Sequence, residues 1–337
     1  MMATVTTPHY LSLCCIIKDE DDVIEEWVAF HLAVGVDHIL LIDNGPSDAL
    51  PRILAPYIQA GKVELVTFWS RGRQQQRAYD RALRYMSGKT RWLGFIDADE
   101  FLFPSVDKDL PTVLRDFEDY VAVSVNWVAF GSNGHQEPPQ GFVIENFTDR
   151  GELEHRLPMT RLRDATYPEN HPHAYLPMNT HVKTVVDPSR TIRLRTAHHY
   201  KYLPGLTAVT ENKTPIDSPV TDTVSIDRLR INHYWSKSLD QLLRKISKGA
   251  VESHKRKTPH NYAKEFALER DRAASGVSDT DILRFLDALN DTIAHYRQLA
   301  PTQLPRVRRL RYRPRDWVVA SWREVKRFVS RAKRGKW

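Results

Sequence analysis

The chain reads Arg91-Trp92-Leu93-Gly94-Phe95-Ile96-Asp97-Ala98-Asp99-Glu100-Phe101 at the point where an apolar run ends in an acidic triplet. Several apolar residues in succession are typical of a strand that is buried on both faces of a parallel sheet. Asp97 and Asp99 stand two positions apart, so at the end of a strand their carboxylates point to the same side. Two oxygen ligands arranged in this way can hold a divalent cation, and the cation can hold a diphosphate.

Two aspartates at this spacing are common in the chain, so the surrounding sequence has to distinguish one pair from the rest. Asp-x-Asp occurs at Asp19/Asp21, Asp97/Asp99, Asp107/Asp109 and Asp279/Asp281. Asp97/Asp99 directly follows a buried-strand pattern, whereas a solvated turn explains the other three pairs. We therefore interpret Asp97 and Asp99 as the candidate metal-binding pair, with a solvated turn as the alternative.

Length and composition allow one large α/β domain with additions, or two to three domains. The chain has 337 residues, and 41% of them are hydrophobic. It has no apolar run of about 18 residues, so we expect no membrane-spanning helix. The apolar residues 11–17 end in Lys18-Asp19-Glu20, which predicts a first strand rather than a signal peptide. Cys14 and Cys15 are neighbours in this strand and face opposite ways, which disfavours a disulfide and agrees with a reducing, cytoplasmic setting.

The net charge of +7 is concentrated at one end of the chain. Residues 301–337 contain 13 Lys and Arg and 2 Asp and Glu, while residues 1–300 contain 36 basic and 40 acidic residues. The larger part therefore has no basic excess that would predict nucleic-acid binding. From Asp316 onward the pattern is that of a basic amphipathic helix, which suits an anionic membrane surface and makes a peripheral membrane location a hypothesis. A solvated arm or a helix packed on the main body is the alternative.

Strand and helix patterns alternate through the first hundred residues. The predicted strands are 11–17, 38–42, 62–68 and 92–96, and the predicted helices are 23–34, 49–58 and 74–86, the first with a capping box of Asp22 and Glu25. This alternation predicts a parallel sheet, in which ligands bind beyond the carboxyl ends of the strands. Asp43, Ser70–Arg73 and Asp97–Glu100 all follow predicted strands, so we expect one shared site. Further on, a strand is predicted at 121–130, irregular loops and short strands at 138–230, and helices at 238–254 and 279–299.

Short motifs also recur in a defined order over residues 10–250. They are Ile17-Lys18-Asp19-Glu20, Glu26-Trp27 with Phe30-His31, Gly35-Val36-Asp37-His38, Asp43-Asn44 with Ser47-Asp48, Gln76 with Ala78-Tyr79, Trp92 through Phe101, Gly131-Ser132-Asn133-Gly134-His135, Gly141 to Arg150, Lys183, and Asn232-His233-Tyr234 with Ser236-Lys237-Ser238. In combination they resemble the family-2-like glycosyltransferases, especially glycosyltransferase family 92 and its bacterial relatives. Each motif alone is weak, and the ordered combination is specific.

The resemblance implies a GT-A fold of the α/β class, a Rossmann-like mixed sheet flanked by helices, and the helical spacing of residues 238–254 and 279–299 adds a C-terminal helical extension. We accordingly expect a catalytic domain over residues 1–235, a helical extension over 236–300 and a basic amphipathic tail over 301–337. The resemblance also implies a nucleotide-sugar donor, with UDP as the expected nucleotide, a divalent cation (Mn²⁺ or Mg²⁺) and inversion at the sugar carbon.

The roles of individual residues follow from this chemistry and from the family motifs. Asp99 is the expected metal ligand, while Asp97 is expected to contact the ribose or donor sugar and to reach the metal directly or through water. His233 matches the family's distant histidine ligand, and a packed, hydrogen-bonded histidine is the alternative. The remaining donor-binding candidates are Lys18, Glu20, Asp43, Arg71, Gln76 and Lys183.

An inverting transfer needs a general base that removes the proton of the acceptor hydroxyl. Glu137 is the expected base, with Glu145 and Asp149 as the other candidates. The chain departs from the family pattern after Glu145, where Asn146 stands in place of the usual arginine, and the roles of these two positions stay open for that reason.

The leading hypothesis is a metal-dependent glycosyltransferase that acts on a glycan or a lipid-linked acceptor in bacterial surface polysaccharide synthesis. A nucleotidyltransferase acting on sugar phosphates is an alternative, although residues 18–22 are acidic where that class has a glycine-rich phosphate loop. A non-catalytic nucleotide-sugar-binding protein is a third possibility.

Overall fold

The structure is a computed structural model of the whole chain. It describes residues 7–45, 47–70, 74–154, 156–158, 175–177, 179–248, 260–299, 304–305 and 307–310.

Strands and short helices alternate in the first half of the chain, and strands dominate the middle. The strands are β1 (His9–Ile17), β2 (His38–Asp43), β3 (Val63–Thr67), β4 (Thr90–Phe95), β5 (Glu100–Pro104), β6 (Ala122–Ala129), β7 (Asp149–Arg150), β8 (Arg156–Pro158), β9 (Tyr175–Pro177), β10 (Val182–Val186), β11 (Thr191–Leu194), β12 (Tyr200–Tyr202), β13 (Ala208–Thr210), β14 (Pro215–Ile216), β15 (Leu229–His233), β16 (Val277–Ser278) and β17 (Arg308–Arg309). The helices are α1 (Ile24–Ala33), α2 (Leu50–Ile53), α3 (Ala55–Gln59), α4 (Gln74–Met86), α5 (Leu110–Leu114), α6 (Val143–Asn146), α7 (Leu239–Lys248), α8 (His260–Ala273) and α9 (Leu286–Arg297), with 3₁₀ turns at Arg115–Phe117 and Asp281–Phe285.

The parallel part of the sheet confirms the predicted alternation. β1 pairs in parallel with β2 and β4, and β2 pairs in parallel with β3, so these strands lie side by side in the order β4-β1-β2-β3. Each crossover needs helical residues to return the chain to the same sheet edge, and α1, the pair α2 and α3, and α4 provide them. The carboxyl ends of the four strands therefore meet at one edge.

Later strands extend this sheet with antiparallel pairs and make it mixed. β10 runs antiparallel to both β4 and β6, and β15 runs antiparallel to β5 and parallel to β6. The mixed α/β sheet flanked by helices confirms the predicted fold class. Helices α7, α8 and α9 then follow the last central strand, as expected for the helical extension.

Apolar side chains fill both faces of the sheet. One layer packs α1 against β1, β5 and helix α9, with Trp27 and Phe30 among its fully buried members. The other layer lies under α4 and contains Ala78, Ala82 and Met86, as the helical spacing of the sequence predicts. Cys14 and Cys15 are buried free thiols.

Some local expectations differ from the structure. α1 begins after Val23, whose side chain makes no cap hydrogen bond, so the capping box predicted at Asp22 and Glu25 was wrong. The predicted helix 49–58 is divided into α2 and α3 at Leu54. β17 pairs with β3, while the tail from residue 311 lies outside the described residues. In the described part of the chain, no helix has both the length and the apolar character needed to cross a membrane.

Candidate active site

The acidic triplet forms a closed turn between β4 and β5. The indole N–H of Trp27 donates to the carbonyl oxygens of Asp97 and Glu100, at 3.1 and 2.8 Å. Glu100 accepts a hydrogen bond from the backbone N–H of Asp97 at 2.9 Å through its carboxylate. Trp27 of α1 thus fixes the backbone of the turn, and the side chains of Asp97 and Asp99 lie at the carboxyl edge of the sheet.

Asp97 is held by three side chains. Lys183 donates to Asp97 Oδ2 at 2.7 Å, and Gln75 and Tyr79 of α4 donate to Asp97 Oδ1 at 3.0 and 3.3 Å. The antiparallel register explains the first contact, since Val185 pairs with Gly94 and Lys183 therefore lies beside the end of β4. The Lys183 side chain is only 1% exposed and also lies 3.4 Å from Glu100, so one buried ammonium serves two carboxylates.

The Asp99 carboxylate lies between the imidazole of His233 and the ammonium group of Lys245. Its Oδ1 lies 3.6 Å from His233 Nε2, and its Oδ2 accepts a hydrogen bond from Lys245 Nζ at 2.5 Å. His233 reaches this position because β15 pairs with β5, so that His233 is opposite Glu100 and the next residue donates its backbone N–H to the Asp99 carbonyl. Lys245 reaches it from helix α7.

These contacts shift the pKa values of the three carboxyl groups in different directions. Burial alone would raise the pKa of Asp99, but Lys245 and His233 hold it well below its usual range. Burial is likewise outweighed at Asp97, whose pKa is lowered by Lys183. At Glu100 burial prevails and, with the neighbouring aspartates, raises the pKa to about 8. Asp97 and Asp99 are therefore ionised at neutral pH, the form that binds cations.

A cluster of aromatic and imidazole rings lies beside the pair. The Trp127 ring is 4.4 Å from that of His233 and 5.1 Å from those of His181 and His198. Burial lowers the pKa of His233, and it lowers those of His181 and His198 to about 4 and about 3. A neutral imidazole is the form that ligates metals and hydrogen-bonds to hydroxyl groups.

Asp99 and His233 bring two possible metal ligands close together. Two ligands at about 2.1 Å from one octahedral ion are about 3 Å apart when they bind at right angles, so the 3.6 Å between Asp99 Oδ1 and His233 Nε2 would shorten on binding. Within the described residues, no set of three His, Cys, Asp or Glu side chains is already arranged around a common point. A cation of the Mg²⁺ type, which uses one or two protein ligands and completes its shell with water and substrate phosphates, would not need a third side chain.

The residues predicted to contact the nucleotide lie at the ends of β1 and β2. Lys18 is exposed, and its side chain packs against Gly45. The contact is so close that a Cβ added to Gly45 would lie 2.8 Å from Lys18 Cγ. Glu20 is 3.4 Å from Lys237, and burial raises its pKa. Asp43 is buried, and its Oδ1 accepts the backbone N–H of Gly45 at 2.9 Å. One Asp43 oxygen thus shapes the turn after β2.

Two donor-binding candidates follow β3 in the sequence, Arg71 and Gln76. Arg71 lies outside the described residues. Gln76 donates to the carbonyl oxygen of Arg195 at 3.3 Å, whereas the preceding residue, Gln75, contacts Asp97. A rotation of about 100° per residue separates neighbours on a helix, so the phase of α4 directs Gln75 towards Asp97 and Gln76 towards Arg195.

The three candidate bases have different surroundings. Glu137 is exposed and lines a surface cavity of about 470 Å³ together with the first turns of α7. Glu145 accepts the backbone N–H of Phe142 at 3.2 Å and so stabilises the start of α6. Asp149 lies in β7, paired with Ser278 of β16.

Sequence reasoning missed several groups that the fold brings to the acidic pair. They are Gln75, Tyr79, Trp127, His198 and Lys245. Tyr79 belongs to a recognised motif and could have been found by its phase on α4. Lys245 is one of several basic residues in a helix, and nothing in the local pattern separates it from Arg244 or Lys248.

Comparison with known proteins identifies a family. The model of glycosyltransferase family 92 matches residues 9–267. A family 92 protein of Ricinus communis is 20% identical over 312 residues, which cover 85% of this chain and 49% of the relative. Another, from Oryza sativa subsp. japonica, is 23% identical over 146 residues, which cover 42% of this chain and 25% of the relative. The chain thus spans half or less of the length of these relatives.

Among solved structures, residues 1–349 of S. aureus TarS are a distant match. The alignment covers 97% of this chain and 92% of that one, with 9% sequence identity and a TM-score of 0.34.

Proposed function

The chain belongs to glycosyltransferase family 92, and from this we propose that it transfers a sugar from a nucleotide-sugar donor to an acceptor hydroxyl group. The reaction we propose depends on a divalent cation, uses a UDP-sugar and inverts the sugar carbon. A glycan or a lipid-linked precursor of a bacterial surface polysaccharide is the proposed acceptor. A cytoplasmic enzyme that associates peripherally with the membrane would fit this role.

One observation supports this function above all others: Asp99 and His233 face each other 3.6 Å apart where β4, β5 and β15 meet. The sugar–phosphate bond breaks more easily when the negative charge of the leaving diphosphate is neutralised. A divalent cation held by Asp99 and His233 would supply this charge as a Lewis acid. The sequence-based proposal that Asp97 also binds the cation remains, although both Asp97 oxygens have protein partners.

The other residues would bind and orient the donor. Lys183 fixes Asp97 and keeps it ionised, so that this carboxylate can accept hydrogen bonds from the ribose or the donor sugar. We propose that the rings of Trp127 and His198 form the wall of the sugar pocket, since aromatic faces and neutral imidazoles suit sugar carbons and hydroxyls. At the nucleotide end, Glu20 and Lys18 are the proposed contacts.

We propose Glu137 as the general base. It lines the cavity next to α7, the helix that also carries Lys245 to Asp99, so the cavity and the metal pair share one element. Glu145 is a weaker candidate because its carboxylate stabilises the backbone at the start of α6.

The function can be tested by thermal unfolding with UDP, GDP, CMP and dTDP sugars, each with and without Mn²⁺. We expect a UDP-sugar to raise the melting temperature only when Mn²⁺ is present, because binding to the native state stabilises it. Asp99→Asn should abolish this shift and slow turnover of the donor by about 100-fold or more, since several kcal/mol of charge stabilisation depend on the cation.

The matched control is Asp107→Asn, which alters an aspartate of another Asp-x-Asp triplet and should leave binding and rate unchanged. Full activity of Asp99→Asn would contradict the proposal. Pyrophosphate release from a nucleoside triphosphate and a sugar phosphate would indicate a nucleotidyltransferase instead. Donor binding without turnover on any acceptor would indicate a binding protein.

A further inference from the structure

Lys245 of helix α7 contacts the proposed metal ligand Asp99. Its Nζ lies 2.5 Å from Asp99 Oδ2 and 3.3 Å from the carbonyl oxygen of Trp235. The Lys245 side chain is 45% exposed, whereas that of Asp99 is 13% exposed. The ammonium group of an exposed side chain therefore binds a mostly buried carboxylate.

The two Asp99 oxygens have different partners. Oδ1 faces His233, and Oδ2 is bound by Lys245. A divalent cation between Asp99 and His233 would thus lie within a few ångströms of the lysine ammonium. Like charges at such separations repel strongly unless an anion lies between or beside them. The lysine and a cation would compete for Asp99 as long as no anion is present.

The donor diphosphate has the charge that removes this conflict. A diphosphate can bind the cation and accept hydrogen bonds from an ammonium group at the same time. A lysine suits this exchange, because it is a compact point charge on a flexible stem of four carbons. Building on the function proposed above, we propose that Lys245 neutralises Asp99 before the donor binds and then moves to the donor diphosphate.

Two other lysines that pair with carboxylates at this edge are less suited to such a movement. Lys183 is 1% exposed and is fixed between Asp97 and Glu100. Lys237 is mostly buried and lies 3.4 Å from Glu20. Lys245 is the most exposed of the three lysines. Its helix, α7, is attached to the loop that precedes Glu137, because the backbone N–H groups of Leu239 and Asp240 donate to the carbonyl oxygens of His135 and Gln136.

The test compares Lys245→Met and Lys245→Arg with the wild-type chain in two binding experiments. The first measures the affinity for Mn²⁺ alone by electron paramagnetic resonance of the free ion. The second measures, by calorimetry with Mn²⁺ present, the affinity for UDP, GDP, CDP and dTDP and for the corresponding monophosphates.

We expect Lys245→Met to bind Mn²⁺ alone several-fold more tightly, because a competitor is removed. The same variant should bind the preferred nucleoside diphosphate at least ten-fold more weakly, while its affinity for the monophosphate changes less than two-fold. Lys245→Arg should retain most of the diphosphate affinity, because it keeps the positive charge. Arg244→Met, one residue earlier on the same helix and paired with Asp240, is the matched control and should match the wild type in both experiments.

The outcomes separate this inference from the function on which it rests. If the wild-type chain binds a diphosphate in the presence of Mn²⁺ and Lys245→Met binds it equally well, the role of Lys245 is refuted and the glycosyltransferase proposal stands. Weaker binding of Mn²⁺ alone by Lys245→Met would also refute it, because the lysine would then assist the ion. If the wild-type chain binds no nucleoside diphosphate, both proposals fail.

Discussion

Lys183 connects the acidic pair to the core of the protein. Its ammonium group binds Asp97 at 2.7 Å and lies 3.4 Å from Glu100. Burial would lower the pKa of Lys183, but the two carboxylates raise it above its usual range. A buried cation remains charged only while its partners stay in place, so the position of Asp97 and the stability of the fold depend on the same contact.

Lys183→Met is therefore expected to lower the free energy of unfolding by about 3 kcal/mol, because Asp97 loses its counter-charge in a mostly buried position. Urea unfolding followed by circular dichroism measures the change. Lys108→Met is the control, since Lys108 forms an exposed pair with Asp109 at 3.9 Å and should cost no more than about 0.5 kcal/mol. Equal costs for the two variants would mean that the buried pair contributes no more than a surface pair.

At the scale of elements, helices from distant parts of the chain determine which groups reach the sheet edge. α1 supports the acidic turn through Trp27 and binds the start of α6 through Glu26, which accepts the backbone N–H groups of Val143 and Ile144 at 2.8 and 3.1 Å. The end of α8 packs so closely on the loop after β6 that a Cβ on Gly131 would overlap the carbonyl oxygen of Ala274. Loop and helix positions around the site are thus fixed by backbone contacts.

The link between α1 and α6 predicts a dependence of stability on pH. Burial raises the pKa of Glu26 to about 7, despite the two hydrogen bonds from the backbone, whereas an unfolded glutamate titrates near 4.5. Between these values the native state holds one more proton than the unfolded state, so stability falls as the pH rises through this window. The total loss is on the order of 3 kcal/mol.

Glu26→Gln removes this titration. Relative to the wild type, the variant should therefore become progressively more stable between pH 5 and pH 8, as measured by urea unfolding at each pH. Glu152→Gln removes an exposed carboxylate and should show no such trend. A constant difference between Glu26→Gln and the wild type at all pH values would contradict the predicted protonation.

At the scale of the whole molecule, charge is distributed unevenly along the chain. Residues 301–337 have 13 basic and 2 acidic residues, and the remaining 300 residues have a small acidic excess. β17, at Arg308–Arg309, pairs with β3 of the central sheet, so the basic end of the chain starts from the body of the protein. Removing the entire segment would therefore also remove part of the sheet.

The predicted membrane association is best tested by removing positive charges from the full chain rather than by truncating it. In the full chain, replacing Arg323, Lys326, Arg327 and Arg331 by glutamine should reduce co-sedimentation with anionic vesicles by at least ten-fold, at about 1 kcal/mol per charge near the surface. Added salt should weaken wild-type binding in the same direction. Glutamine at Arg195, Arg244 and Arg272 is the control, and unchanged binding of the tail variant would contradict a membrane role for the tail.

The sequence by itself determined the parallel core, the helix Gln74–Met86 and the acidic turn. In these elements the signal is local, because an apolar run, a helical period and the residues that end a strand are all read within about a dozen positions. The order of motifs also identified the family and pointed to His233, which the structure places beside Asp99.

Only the tertiary structure decided which side chains surround that turn. The antiparallel registers of β10 and β15 bring Lys183 and His233 to it, the phase of α4 brings Gln75 to Asp97, and the placement of α7 brings Lys245 to Asp99. Pairing between strands far apart in sequence depends on the burial of whole faces and on the chain between them. No short stretch of residues contains that information, so the partners of the acidic pair become visible only in the folded chain.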